Sequence, residues 1–541
     1  MPSSLGFQVQ EAHSPRQSVA RLPTARAAFV GRTLRGPVGR PVLVTNFAEF
    51  QLAFGGLWQP SPLGYAVEQF FDNGGQEAFV VRVANGARPA TLTLPAGSRP
   101  LSLRAARPGT REFLRACVDY DNITPADGDG FNLTVQRVRT QGAVHVEDQE
   151  IFRSLSVDAA SPRFVERALA SSELVRPAGP VPAQRPDCTI DAASGLATGY
   201  VHSNSDGDDG APLTDYDLIG SAVERTGLFA LEDADHFNFL CIPPLARDRD
   251  LGASTLVVAA RFCRDRRALL IVDPPNDWRT AGEAIGGLEH WGFASENALM
   301  YFPRILAYDK LRGRFESFAP CGAVAGLLAR ADAQSPIWEA DGGEDPVLRP
   351  GYKPACQISD RERAKLGTLG VNTLDAVRAA ARRTPRLRTL AAGGAAESRF
   401  LRAQRTSLFI VNCIERGTRW AAAAPPGAHL ADQVEAQVRE FFLELHRAGA
   451  FAGRSEEDAF FVVCDRRCND ESGGSARRFR LLIGFAAARI GEFHTFRITH
   501  GHDFDEVQAV TLNRLHDLRY SPAEIEWADR LASQLNPDAR R

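Results

Sequence analysis

The sequence contains no long hydrophobic run, because no stretch reaches the roughly 18 apolar residues that a membrane-spanning helix needs. Residues 1–16 have no apolar core of the kind that marks a secretory signal peptide, so if the protein works outside a cell, we expect something other than secretion of the free subunit to release it. Neither sign of charge is in excess, since the chain has 63 basic and 66 acidic residues. This balance gives no basic face for nucleic acid and no sign of membrane insertion. It suits surfaces that meet other copies of the same chain.

Cysteines are few and irregular. Nine of them, an odd number, are scattered from Cys117 to Cys468 without a regular spacing. This pattern argues against a secreted disulfide framework and fits a reducing compartment.

The common catalytic and phosphate-binding motifs are absent. The sequence has no GxxxxGK[ST], no complete GxGxxG, no HExxH and no GxSxG. Residues 127–130 and 206–210 look like calcium loops, but neither supplies oxygen ligands at the required positions, so we predict turns. No cofactor is expected, and the chain is not predicted to be an enzyme.

One group of residues has the right chemistry for zinc. Cys464 and Cys468 are four residues apart, and His494, His500 and His502 follow. Cysteine and histidine are the preferred zinc ligands, but the spacing is loose. Cys464 ends an apolar strand, where a buried thiol is the simpler interpretation.

A second chemical candidate is Asp273, which ends the apolar strand 268–273. Enzymes with parallel sheets place catalytic groups at such strand ends. Two prolines follow Asp273 and no partner nucleophile or base can be named, so we favour an aspartate that caps a loop.

The 541 residues predict three or four domains, and the overall class is α/β. Near-continuous apolar strands alternating with helices predict a mostly parallel sheet covered on both faces. The pattern divides the chain into an N-terminal arm (1–25), an N-terminal α/β unit (26–84), a β-rich insert with a linker (85–215), a central α/β unit (216–400), a C-terminal α/β unit (401–500) and a helical extension (501–541).

Several helices are predicted from apolar spacing, among them 63–72, 164–174 and 430–446. Residues 407–411 fit either a strand or the start of a helix. The helix 430–446 is amphipathic, which core packing on one side and solvent on the other explain most simply. Its polar face is a candidate docking surface, made of Asp432, Glu435, Arg439, Glu440 and Glu444.

The two ends of the chain carry short alternating strands. The first is formed by Gly6, Phe7, Gln8, Val9, Gln10 and Glu11. The second is formed by Phe493, His494, Thr495, Phe496, Arg497 and Ile498. A short isolated strand cannot satisfy its own backbone groups, so it must pair with another strand of the same or another chain.

Many segments, in order along the chain, are similar to phage tail sheath proteins. Near the N-terminus they are AFVGR (28–32), RGP (35–37), PVLVTNF (41–47), FGG (54–56), LGYAV (63–67), FFDNGG (70–75) and AFVVRV (78–83). In the middle they are SPRFVE (161–166), TGLFALED (226–233), FNFLCIP (237–243) and GAVAG (322–326). Towards the end they are IERGTRW (414–420), EDAFFV (457–462) and EFHTFRI (492–498).

The resemblance implies a contractile sheath subunit of a phage tail, a tailocin or another contractile injection system, and the sequence does not choose among these. It implies a central subtilisin-like domain without the protease triad and a conserved C-terminal domain near an inner tube. The implied partners are further copies in six-fold rings of a helical sheath, the inner tube protein, and baseplate and terminator proteins. The two terminal strands are expected to join sheets of neighbouring copies, with residues 13–24 as hinges.

The same resemblance leads to a hypothesis about the helix 430–446, whose polar face is expected to contact the tube in the extended state. Two rival functions are weighed against the sheath. A hydrolase on a subtilisin-like scaffold needs a Ser, His and Asp arrangement that the sequence does not offer. A static tube or binding protein does not need arm strands at both ends.

Overall fold

The structure is a computed structural model, and it describes residues 18–123, 129–141, 143–189, 199–339, 347–375, 387–391, 399–424, 429–465, 469, 478–487, 489, 492–502 and 504–510. Within these ranges, no helix is both long enough and apolar enough to cross a membrane.

Helices are numbered along the chain. They are α1 (Phe47–Phe54), α2 (Leu63–Asp72), α3 (Val165–Leu169), α4 (Asp215–Ile219), α5 (Ala253–Arg266), α6 (Ala281–His290), α7 (Cys321–Gln334), α8 (Asp360–Thr368), α9 (Leu401–Thr418), α10 (Leu430–Arg447) and α11 (Glu456–Ala459). Short 3-10 helices span Gly227–Asp233 and Arg419–Ala422.

Strands are numbered in the same way. The first group is β1 (Ala27–Gly31), β2 (Val42–Val44), β3 (Ala78–Arg82), β4 (Thr91–Leu94), β5 (Leu101–Ala105), β6 (Leu114–Asp119), β7 (Phe131–Gln141), β8 (Ala143–Leu155), β9 (Val175–Pro177) and β10 (Val201–His202). The second group is β11 (Phe239–Cys241), β12 (Leu269–Val272), β13 (Ala298–Phe302), β14 (Ile305–Asp309), β15 (Arg314–Phe318), β16 (Tyr352–Pro354), β17 (Val371–Thr373), β18 (Phe460–Val463), β19 (Phe479–Phe485), β20 (His494–His500) and β21 (Asp505–Val510).

A seven-stranded sheet in the order β17-β13-β12-β11-β1-β3-β2 forms the sheet domain. Its strands are parallel except β2, which runs antiparallel to β3 at one edge. β1 pairs with β3 on one side and β11 on the other, so residues 26–84 and 216–400 are not two units but share one sheet. The sequence pattern missed this because the intervening insert separates the two halves along the chain.

Helices cover both faces of this sheet, as near-continuous apolar strands require. One face packs against α5 and α6, and the other against α2 and α7. α7 approaches α2 closely because Gly322 and Gly326 face its backbone. A Cβ atom on Gly322 would lie 1.9 Å from the carbonyl oxygen of Ala66.

The β-rich insert is a separate body with its own apolar core. It contains the sheets β4-β5-β9 and β10-β6-β7-β8. The helix predicted at residues 164–174 is only α3, Val165–Leu169. The Ser172 hydroxyl accepts the backbone N–H groups of Leu174 and Val175 and so stabilises a turn that leads into β9.

The C-terminal domain places α9 and α10 against a four-stranded antiparallel sheet in the order β18-β19-β20-β21. Residues 407–411 lie inside α9, which resolves the choice between strand and helix. α10 confirms the amphipathic helix predicted at residues 430–446.

The helical extension predicted from residue 501 is wrong at its beginning. Residues Asp505–Val510 form β21, which pairs with β20 in six successive positions. The charged residues Asp505 and Glu506 looked like part of a polar helix, but Val507 and Ala509 lie on the same face as the inward side chains of β20. The remainder, 511–541, lies outside the described residues, as does the predicted N-terminal strand 6–11.

Candidate assembly interface

The C-terminal sheet has two different faces. Alternate residues of β19 point towards α9 and α10, and they are Phe479, Leu481, Ile483 and Phe485. Phe442 of α10 is fully buried against them, with its ring 5.0 Å from the ring of Phe460 and 6.0 Å from that of Phe485. The opposite face carries only a small apolar group around Val463 and Leu482. The sheet is therefore fixed from one side.

The edges of this sheet are β18 and β21. β20, which contains the predicted donated strand 493–498 from His494 onwards, lies inside the sheet and pairs with β19 and β21 of its own chain. Both of its backbone edges are therefore occupied in the single chain. The strand that comes last in the described chain and has one unpaired edge is β21.

The first residue of β21 is held by two cationic or polar partners. Asp505 accepts hydrogen bonds from Nδ1 of His500 at 2.6 Å and from Nε of Arg419 at 2.7 Å. His500 is fully buried and its Nε2 lies 2.8 Å from the hydroxyl of Thr418. That hydroxyl also donates to the carbonyl of Ile414 at 2.7 Å. Both ring nitrogens of His500 therefore lie within hydrogen-bond distance of a polar partner, Thr418 on one side and Asp505 on the other.

We call Asp505, His500 and Arg419 the Asp505 clamp. Its polar contacts continue into the sheet domain. Arg419 also binds Glu415 of α9 at 2.5 Å, and Glu415 binds Arg267 at 3.1 Å. Arg267 follows the last residue of α5 in a left-handed conformation (φ 52°) and donates to Asn412 of α9 at 2.6 Å. Burial lowers the pKa of the Arg267 guanidinium, and the Glu415 carboxylate opposes that effect. A continuous polar chain thus links β21 to the end of α5.

The segment that precedes β1 is packed into the C-terminal domain. Val19 is buried against Gly417 of α9, and the backbone N–H of Leu22 donates to Sγ of Cys413 at 3.3 Å. Thr24 donates to Asp332 at 2.7 Å. These contacts attach Val19, Leu22 and Thr24 to the rest of the single chain, and the hinge predicted at residues 13–24 stays a prediction, with residues 13–17 outside the described residues.

Trp338 joins the same core from the other side. Its indole N–H donates to the carbonyl of Ala448 at 3.0 Å, and its ring lies 6.0 Å from that of Phe409. The guanidinium of Arg21 lies 5.9 Å from the same indole ring. Two segments from outside the C-terminal domain thus contribute to its core.

The polar face of α10 is exposed, as predicted. Asp432, Arg439, Glu440 and Glu444 are exposed and Glu435 is half-buried. The ion pairs on this face are loose, with 3.4 Å between Arg439 and Glu435 and 3.8 Å between Glu444 and Arg21. The face therefore presents a predominantly acidic surface to any partner.

The zinc candidates are not brought together in the described residues. His494 lies against the hydroxyl of Ser407 at 2.9 Å, while His500 belongs to the Asp505 clamp. Sγ of Cys464 lies 3.8 Å from the carbonyl of Arg480, and Cys468 lies outside the described residues. No group of three or more His, Cys, Asp or Glu side chains in the described part of the chain is arranged to hold a metal ion.

Asp273 is the loop-capping residue that the sequence favoured. It is wholly buried, and one carboxylate oxygen accepts the backbone N–H of Cys321 at 2.7 Å where α7 begins. Burial raises the pKa of this carboxyl to about 6. No serine or histidine bonds to it among the described residues. It lines a cavity of about 50 Å³, which is too small for a substrate.

The acidic loop at residues 206–210 also has a structural role. Asp206 accepts the N–H and hydroxyl of Thr91, at 2.8 and 2.6 Å. Asp209 accepts the same two groups of Thr110, at 2.9 and 2.7 Å. These carboxylates bind the segment 206–210, which leads back to the sheet domain, to Thr91 and Thr110 of the insert. This structural role agrees with the prediction of a turn. The other calcium-like loop, 127–130, lies only partly within the described residues.

The residues of the Asp505 clamp were missed by sequence reasoning. A signal was nevertheless present, because Glu415, Thr418 and Arg419 all lie in the segment IERGTRW that resembles sheath proteins. Asp505 and Arg267 have no such signal, since each is an ordinary charged residue in its local sequence.

Solved structures share this architecture over nearly the whole chain. A sheath tail protein from Listeria innocua matches with a TM-score of 0.58 at 14% identity, covering 90% of this chain and 97% of its own. One from Desulfitobacterium hafniense matches with a TM-score of 0.51 at 13% identity, covering 92% and 100%. The sheath of the extracellular contractile injection system PVC, in its contracted state, matches with a TM-score of 0.51 at 14% identity, covering 90% and 95%. No protein-family profile and no curated protein matches the sequence.

The chain therefore has the fold of contractile tail sheath proteins, a mixed α/β fold with a parallel-stranded sheet. The resemblance noted in the sequence is confirmed at the level of the fold.

Proposed function

We propose that this chain is the structural subunit of a contractile sheath, which polymerises around an inner tube and shortens to drive that tube through a target envelope. The observation that carries the proposal is the extent of the structural likeness, which covers 90–92% of the chain and 95–100% of the sheath proteins it matches. A parallel sheet alone occurs in many unrelated proteins, but a likeness that includes the insert and the C-terminal domain is specific.

The proposed assembly is a helical stack of six-fold rings with head-to-tail contacts, because such heterologous contacts generate open-ended polymers. Inner tube, baseplate and terminator proteins are the proposed partners. The particle would be a phage tail or a phage-tail-like particle, put together in the cytoplasm of the producing bacterium.

Neighbouring copies would be joined by added β-strands. The geometry favours β21 rather than β20 as the strand exchanged between copies, because β21 is an edge strand at the end of the described chain. The N-terminal strand 6–11 would join the same sheet of an adjacent copy at β18, the opposite edge. Main-chain hydrogen bonds give such pairing its strength, and alternate side chains fix its register.

The tube would be contacted through the exposed face of α10. Because that face is predominantly acidic, the matching surface of the tube should be basic. No nucleotide is needed for this function, since the energy of firing would come from a metastable extended packing of the subunits.

A hydrolase is the alternative, and the geometry gives it no support. The carboxylate at the strand end, Asp273, already serves the beginning of α7. The proposed role of the sheet domain, subtilisin-like in arrangement, is that of a scaffold without catalysis.

Electron microscopy tests the proposal. The purified chain, alone and co-expressed with a candidate tube protein, is expected to form cylinders with a regular axial striation. A protein that stays monomeric under both conditions at high concentration would contradict the proposal.

A truncation sharpens the test of the N-terminal strand. Removal of residues 1–17 leaves Val19 and Leu22 in place, so the contacts with α9 are spared. Loss of cylinders with unchanged unfolding of the subunit would support strand donation. Normal, contractile cylinders from this variant would remove that role.

A further inference from the structure

The last described strand, β21, is attached to the rest of the molecule in an unusual way. It follows β20 through a tight turn in which the N–H of Gly501 donates to the carbonyl of Phe504 at 2.7 Å. A Cβ on Gly501 would lie 2.5 Å from the exposed ring of Phe504, so a larger residue here would have to displace that ring. β21 pairs along six residues of β20, yet none of its own side chains is fully buried. Its backbone bonds, its first residue and the partly buried Val507 and Val510 therefore hold it.

That first residue is Asp505, whose carboxylate is bound by the buried His500 and by Arg419. Both partners also bind residues outside β21. His500 is anchored by Thr418, and Arg419 by Glu415. The structure thus contains a preformed site for one carboxylate at the start of an antiparallel strand. Such charge-assisted hydrogen bonds are about twice as strong as neutral ones.

A strand held in this way can be exchanged between identical copies. If β21 leaves its own β20 and pairs with β20 of a second copy, every hydrogen bond and the carboxylate contact can form again in the same register. Exchange of an identical element between copies is a low-cost route to association. While β21 remains on its own chain, it covers the edge of β20 that the second copy would need.

We propose that β21 is a self-capping strand: in the free subunit it blocks the sheet edge at which a second copy binds, and the carboxylate site of His500 and Arg419 is the lock that holds it there. The partner of the exposed edge is the same strand of another copy, with Asp505 as the recognised group. The inference rests on the proposed sheath function and adds a control of when polymerisation begins.

A reversible covalent lock gives the sharpest test. Arg497 and Gln508 are directly opposite each other on β20 and β21, and their side chains are in contact. Directly opposed residues in antiparallel strands are close enough for a disulfide. The double variant R497C/Q508C, oxidised as the monomer at low concentration, is expected to form no cylinders, and reduction should restore them.

The two possible failures of this test are distinguishable. If the oxidised variant polymerises as fast as the reduced one, the self-capping strand is refuted while the sheath function stands. If neither the wild type nor the reduced variant forms cylinders, the sheath function itself is refuted. Mass spectrometry of the disulfide-linked peptide shows that the bond is within one chain.

Weakening the contact of Asp505 with His500 and Arg419 should speed up polymerisation, which is the opposite of the effect of the disulfide. Asp505→Asn removes the charge that His500 and Arg419 bind, so β21 should open more often. We expect faster amide exchange in β21 and roughly tenfold faster nucleation of polymers, the effect of losing about one charge-assisted hydrogen bond. Glu506→Gln makes the same chemical change on the opposite face of the strand and is the matched control, expected to behave as the wild type. A variant D505N with faster exchange but slower nucleation would show that the contact is only structural.

Discussion

The two principal sheets of this protein are built on opposite plans. The seven-stranded sheet has apolar clusters on both faces, and its central strands β1 and β3 are buried along their whole length. The C-terminal sheet is covered by helices on one face, and its edge strand β21 is largely exposed. A parallel sheet requires long connections, whereas an antiparallel edge strand needs only a tight turn. The first sheet is enclosed by packing on both sides, whereas the second has an edge strand that contacts the rest of the molecule mainly through its backbone and a few side chains.

The connection between the two sheets follows from the same contrast. α9 packs on both, with Leu401 in the core of the sheet domain and Ile410 and Ile414 in the core of the C-terminal domain. The segment 18–22 and Trp338 add to the second core from outside. The C-terminal domain is therefore held to the scaffold by side chains from three separate parts of the chain, and none of these contacts uses the outer edge of β21.

The largest effect is expected from the core that supports the C-terminal sheet. Phe442→Ala should lower the free energy of unfolding by about 3–5 kcal/mol, because the cavity would lie between three other phenylalanine rings. Urea unfolding followed by tryptophan fluorescence measures it. Phe315→Ala, at a ring that is 62% exposed, is the control and should change stability by less than about 0.5 kcal/mol. A loss below about 1 kcal/mol for F442A would show that the sheet does not depend on this core.

The next effect probes the close packing of the sheet domain. Gly322→Ala places a methyl group 1.9 Å from the backbone oxygen of Ala66, which cannot move without shifting α2. We expect a loss of roughly 1–3 kcal/mol, measured as a lower melting temperature.

The matched control is Gly286→Ala in α6, where a Cβ would meet nothing within 4 Å. Here alanine should stabilise the helix by up to about 1 kcal/mol. The same substitution is thus expected to have opposite signs at the two glycines, and equal effects would contradict the close approach of α7 to α2.

Local patterns in the sequence predicted local structure well but not the pairing of distant segments. α2 and α10 follow from apolar residues at helical spacing, and both lie where the spacing placed them. The parallel pairing of β1 with β11 could not be predicted, because it joins residues that are more than 200 positions apart.

The exposure of the polar face of α10 was predicted, because the apolar residues of this helix recur at helical spacing and leave the polar ones on the other side, whereas the contact of that face with a tube stays a prediction. The Asp505 clamp was not predicted, because its ion pairs join residues that are far apart in the sequence. They form only when folding brings α5, α9 and β21 together.

A smaller effect on the free energy of unfolding is expected at Asp273, at the strand end where an enzyme with a parallel sheet would place its catalytic groups. Burial raises the pKa of Asp273 to about 6, above its unfolded value near 4. The folded state therefore prefers the protonated acid, and stability is lost as the pH rises through this interval. Ionised Asp273 should cost about 2–3 kcal/mol above pH 6.

Asp273→Asn retains an oxygen for the N–H of Cys321 but cannot ionise. It should stabilise the subunit by about 1–2 kcal/mol at pH 7.5 and make little difference at pH 4, as measured by urea unfolding at both values. Cylinder formation should be unchanged, because the residue has no part in assembly. A variant that is less stable at pH 7.5 would mean that the carboxylate is compensated by a partner.

The smallest effect on stability, and the most direct on assembly, concerns the face of α10. Glu440→Lys with Glu444→Lys should change the free energy of unfolding by less than about 0.5 kcal/mol, because exposed ion pairs such as Glu444 with Arg21 contribute little. The same change reverses the charge that a basic tube surface would meet, so co-sedimentation with the tube should fall while polymerisation of the subunit alone continues. Glu224→Lys, at an exposed position of the sheet domain, carries a reversed charge without touching α10. Glu224→Lys is expected to bind the tube as the wild type does. If the α10 double variant also binds the tube as well as the wild type, the acidic face of α10 is not the tube contact, and β21 is then the remaining candidate contact of the C-terminal domain.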